Sequence, residues 1–111
     1  MSRYPAQRPS DIAAAIAVIR THLDRGELSD GLVFDAVRVR LIEIGEAVKG
    51  LDETLLASEP AIPWSHITGM RDQLAHRYFD TSHAIVSGTI THDLAELERA
   101  VQRLAERVGE E

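Results

Sequence analysis

The chain contains no cysteine. Disulfides and thiolate metal sites are therefore excluded. Aromatic residues make up only 5% of its 111 positions, so aliphatic side chains must fill the core. No apolar run approaches the roughly 20 residues that a bilayer span requires. The opening "MSRYPAQRPSD" lacks the apolar stretch of a signal peptide. A cytoplasmic protein without a membrane partner is the expectation. Strand-like alternation, internal repeats and low-complexity tracts are missing as well.

What is present fits one small globular domain. Hydrophobic residues are 44% and charged residues 27%, a balance that supports a packed core. The expected organisation is a flexible N-terminal tail over 1–9, which includes Tyr4, and a single domain over 10–111. The net charge of −6 argues against a nonspecific nucleic-acid binder. It leaves room for a local basic site. Arg38, Arg40 and Lys49 flank one helix, and Arg71 and Arg77 lie near His76.

The periodicity predicts an all-α fold, a compact bundle of four to five helices. "PSDIAAAIAVIRTHLDRG" starts the first, with Ser10 as N-cap and Gly26 as a left-handed terminator. Ile12, Ile16, Ile19 and Leu23 form its apolar stripe. "LVFDAVRVRLIEIGEAVKGL" carries Phe34, Val37, Leu41, Ile44, Val48 and Leu51 at the three-four spacing of a buried face. Gly45 lies inside this helix at a cost of about 1 kcal/mol against Ala, which suits a close approach by another helix. A short helix is expected after Asp52. Pro60 and Pro63 then precede "WSHITGMRDQLAHRYF", whose Ile67, Met70 and Leu74 face the core. "DTSH" follows that helix, with Asp80 or Thr81 able to cap the next one. The closing segment repeats Leu94, Leu97, Val101, Leu104 and Val108, and Gly88 and Asp93 predict an interruption ahead of that repeat.

The stretch "RDQLAHRY", residues 71–78, concentrates the chemistry. Histidine exchanges protons near neutrality. Arginine is a fixed cation whose fork suits phosphate oxygens. Arg71 and His76 together suit metal-free phosphodiester cleavage, with RNA supplying its own nucleophile, the 2′-hydroxyl. Asp72 stands four residues before His76 and is placed to orient its ring. Tyr78 is seven residues from Arg71 and projects from nearly the same side. Arg71 and His76 are instead rotated by about 140° on an ideal helix. A long Arg side chain, a distorted helix end, or a two-fold dimer with both motif helices on one cleft would each close that gap. On spacing alone the same residues also fit a solvated helix face. From the second helix, Glu46 is a candidate for orienting Arg71, and Glu43 is expected to face solvent. His22, His66, His83 and His92 share no ligand spacing, so neither a metal nor another cofactor is expected.

"RDQLAHRY" matches the R-x-x-x-x-H-x-Y motif of the HEPN superfamily. The chain resembles in particular the HepT toxins of HepT/MntA toxin–antitoxin systems. "RLIEIGEAVKGL" is similar to that family's second-helix block, "IPWSHITGMRDQLAHRYF" to its motif helix and "THDLAELERAVQRL" to its closing helix. The likeness runs from about residue 10 to 108. It implies a HEPN-like bundle that forms a homodimer with the motif helices facing a shared cleft. It implies the toxin of a type VII-like HEPN/MNT system, a metal-independent endoribonuclease with Arg71 and His76 as catalytic residues and Asp72 in support. Tyr78 matches the tyrosine to which an MNT-type nucleotidyltransferase antitoxin adds AMP. The rival expectation is a non-catalytic HEPN module that binds a nucleotidyltransferase or a nucleotide.

Overall fold

A computed structural model describes residues 8–75 and 79–109. Among these residues the fold is all-α, with no strand. Helix α1 covers Pro9–Arg25, α2 Gly31–Lys49, α3 Glu53–Ala57, α4 Trp64–Ala75, α5 Phe79–Gly88 and α6 Leu94–Arg107. A π-helical turn, Thr89–Asp93, joins α5 to α6. No helix among the described residues is long and apolar enough to cross a membrane.

Helix α2 is the centre of the packing. It lies against α1 on one side and α4 on the other, α6 covers α1, and α5 reaches both α2 and α4. The apolar stripes converge as their spacing predicts. Ile12, Ile16 and Ile19 of α1, Phe34, Val37, Leu41, Ile44 and Val48 of α2, and Ile67, Met70 and Leu74 of α4 are all buried. Leu94, Leu97, Val101 and Leu104 complete the core from α6. Burying side chains of this size contributes about 1.5–3 kcal/mol each, against the conformational entropy that folding removes.

Several local expectations are corrected. Ser10 is not the N-cap. The N-cap is Arg8, two residues earlier, and the helix begins at Pro9, because proline's fixed φ and missing N–H suit the first helical position. Asp11 then accepts a hydrogen bond from the Arg8 backbone N–H at 3.0 Å. Gly26 ends α1 with φ 174°, extended rather than left-handed. Asp80 and Thr81 do not cap the next helix: the backbone of "DTSH" is already helical within α5. Packing overrides the turn chemistry there, since the His83 ring stacks on Phe34 of α2 with centroids 5.3 Å apart. Val108, expected on the apolar repeat, is 50% exposed beyond the end of α6.

The interruption between Gly88 and Asp93 is the π turn. Thr89 Oγ1 donates to the Ile85 carbonyl at 2.8 Å, a back-bond that loosens a helix. Asp52 caps α3 by accepting from Thr54 N–H at 2.7 Å, and Asp30 caps α2 by accepting from Leu32 N–H at 2.9 Å. The α3–α4 connection is fastened at two points. Trp64 Nε1 donates to the Leu56 carbonyl at 2.9 Å. Glu59, buried, accepts from Arg103 Nη2 at 2.6 Å and pairs with Arg107 at 3.4 Å. Beside these two cations, hydrogen bonding from Arg103 first, the Glu59 carboxyl is held below its ordinary pKa.

Candidate active site

The seam between α2 and α4 is built around a missing side chain. A Cβ placed on Gly45 would stand 2.7 Å from Arg71 Cβ and 3.1 Å from the Ile67 carbonyl oxygen. Glycine is the residue that lets the two backbones approach this closely. The core faces of the helices, Ile44 and Val48 on one and Ile67, Met70 and Leu74 on the other, hold that contact shut. Arg71 thereby emerges directly over α2.

Two carboxylates receive it. Arg71 Nε lies 2.9 Å from Glu46 Oε2 on α2, and Nη1 lies 2.9 Å from Asp72 Oδ1 on its own helix. The buried Nε–H does not point along the line to Glu46, so that pairing is one of charge more than of directed hydrogen bonding. The hydrogen bond from Nη1 to Asp72, then the charge of Glu46, raise the Arg71 pKa further. Arg71 therefore stays a cation at any working pH. Its side chain remains 37% exposed, enough for an anion to reach it.

Glu46 thus lies against Arg71, while Glu43 turns outward and pairs with Arg40 at 2.8 Å. Asp72, which the spacing directs toward His76, lies on Arg71. His76 and Tyr78 fall outside the described residues, as does Arg77. A contact that no spacing suggested appears beside them in sequence: Arg38 Nη1 donates to the Leu74 carbonyl at 2.9 Å, joining α2 to the last turn of α4. The only prior signal was that Arg38 belongs to the cations flanking α2. Among the described residues, no three potential His, Asp or Glu metal donors gather at one point.

The arrangement presents a fixed, partly exposed guanidinium at the helix that leads into a histidine. The sequence profile of the ribonuclease HepT-like family matches residues 12–104, nearly the whole folded region. The chain belongs to the ribonuclease HepT-like family. Curated proteins similar to the chain are named as RNases. "Putative RNase TTE0752" of Caldanaerobacter subterraneus is 40% identical over 70 residues, which is 62% of this chain and 62% of that protein. "Putative RNase MJ0127" of Methanocaldococcus jannaschii is 34% identical over 79 residues, 68% of this chain and 65% of that one. "Putative RNase MJ0125" of the same organism is 32% identical over 73 residues, 65% and 63% respectively. The matched stretch spans under two thirds of the length of each of these three relatives. No solved structure matches the chain.

Proposed function

We propose that this HepT-like protein is a metal-independent endoribonuclease and the toxin of a HEPN/MNT toxin–antitoxin pair. The observation that carries the reading is Arg71: held by Glu46 and Asp72 at the glycine contact, charged at working pH, part-exposed, and five residues ahead of His76. Family membership and relatives named as RNases support it.

The chemistry follows from the residue types. Arg71 holds a non-bridging phosphate oxygen and stabilises the charge that grows there. His76 takes the proton of the 2′-hydroxyl, whose oxygen attacks the adjacent phosphorus. The P–O5′ bond breaks, leaving a 2′,3′-cyclic phosphate on one fragment. The 5′-oxygen of the other fragment takes up a proton and departs as a hydroxyl. Because Arg71 and His76 diverge by about 140° on an ideal helix, two copies of the chain sharing one cleft complete the site. Tyr78 is the control point. An MNT-type nucleotidyltransferase adds AMP to its hydroxyl, with ATP losing pyrophosphate, and the new phosphodiester competes with RNA for the guanidinium.

The test uses purified chain and a single-stranded RNA in EDTA. Wild type cleaves, and Arg71→Ala and His76→Ala lose at least about a hundredfold in rate with unchanged helical circular dichroism. Cleavage that requires an added divalent ion overturns the metal-free reading. Sedimentation at micromolar concentration shows a dimer; a monomer that cleaves at full rate overturns the shared cleft.

A further inference from the structure

Arg71 meets its proposed substrate with two carboxylates already against it. Glu46 lies 2.9 Å from Nε and Asp72 2.9 Å from Nη1, so an RNA phosphate must compete with two carboxylates that are in place. The net charge of −6 adds repulsion at longer range. Another cation nearby would offset both effects.

Arg38 is placed to do so. Its Nη1 is pinned to the Leu74 carbonyl at 2.9 Å, and Leu74 is three residues beyond Arg71, about 4.5 Å along the α4 axis. Arg8, Arg20, Arg40, Arg71, Arg103 and Arg107 each lie within ion-pair distance of a carboxylate; Arg25, Arg38 and Arg99 do not among the described residues, and of these three Arg38 is the one bonded to α4. Among the described residues no carboxylate lies that close to the half-buried Arg38. A backbone carbonyl occupies one of its five N–H donors and leaves its charge uncancelled. Capping the last turn of α4 accounts for the hydrogen bond to Leu74. Arg38 also arrives from α2, so its fork is braced across the seam and loses little further freedom on binding an anion.

The geometry points to Arg38 as a second RNA-backbone contact, a positioning residue that holds a phosphate neighbouring the one at Arg71. The inference rests on the ribonuclease reading and deepens it. Arg71 serves the reacting phosphate, and Arg38 supplies the affinity that an acidic protein otherwise lacks.

The test measures binding of a single-stranded RNA with 2′-O-methyl groups, which lacks the nucleophile, across a salt series. Wild type, Arg38→Gln and Arg38→Lys are compared, with cleavage of unmodified RNA and thermal melting run in parallel. Arg38→Gln binds roughly tenfold more weakly at low salt, and its log–log salt slope is shallower by about 0.7, the value of one single-strand phosphate contact. Arg38→Lys, which keeps the charge, restores the slope. If Arg38→Gln lowers the melting temperature and the cleavage rate while the slope stays at the wild-type value, Arg38 is only a cap and the inference is overturned. A slope not restored by Arg38→Lys overturns it as well. Wild-type protein that neither binds nor cleaves RNA removes the ribonuclease reading itself, and this inference with it.

Discussion

Gly45 and Arg71 meet so closely that a methyl group on the first would stand 2.7 Å from Cβ of the second. The contact joins packing to chemistry, because the position of α4 on α2 is also the position of the guanidinium.

Gly45→Ala tests that coupling. Helix propensity favours the substitution by about 1 kcal/mol. Overpacking opposes it by about 1–3 kcal/mol, and the atoms that must move are Arg71 Cβ and a backbone oxygen rather than a mobile side-chain end. The variant is destabilised by up to about 2 kcal/mol in urea unfolding and cleaves RNA slowly. A variant more stable than wild type shows that α4 moves freely at this seam.

Glu46→Gln separates orientation from stability. The Glu46–Arg71 pair is substantially exposed on both sides, and such pairs add little to folding. The melting temperature stays close to that of wild type. Cleavage falls by roughly tenfold to a hundredfold, the scale of a misplaced catalytic group. Unchanged kinetics removes Glu46 from the site.

Glu59 sets a stability change in acid. Its folded pKa is lowered, by hydrogen bonding from Arg103 first. Its contribution is therefore complete above the ordinary carboxylate range and is lost as the pH falls through that range toward the lowered folded value. Glu59→Gln has a smaller loss of stability than wild type over that interval, read from urea midpoints at a series of pH values. Parallel pH profiles for the two proteins contradict this account.

Tyr78→Phe removes the hydroxyl proposed to accept AMP from a nucleotidyltransferase partner and keeps Arg71 and His76. The variant stays toxic on expression and resists neutralisation by the partner's nucleotidyltransferase activity. Intact-mass spectrometry after co-expression checks the modification. Unmodified protein that is fully neutralised shows that the partner inhibits by binding alone.

The helix faces were legible because each is a property of one segment. The three-four spacing of Phe34, Val37, Leu41, Ile44 and Val48 names a buried face without reference to any partner, and those residues are buried. Gly45 announced a close approach for the same local reason, and the glycine and aspartate at 88 and 93 bracketed the irregular turn. Connections were read less well. "DTSH" carries turn and capping residues, yet α5 already includes it, because packing of His83 on Phe34 outweighs a weak local preference.

By itself, the sequence determined that this protein is an all-α bundle with aliphatic faces, and that Arg71, His76 and Tyr78 stand together on one short stretch. Tertiary structure alone decided which side chains of α2 meet α4. It set Glu46 on Arg71 and put Arg38 on the Leu74 carbonyl. Helical periodicity fixes an angle around one axis. It does not fix how far one helix slides or turns against another, and contacts between side chains on different helices depend on that register. Here the register follows from close packing at Gly45 and the interlocking of the buried aliphatic faces.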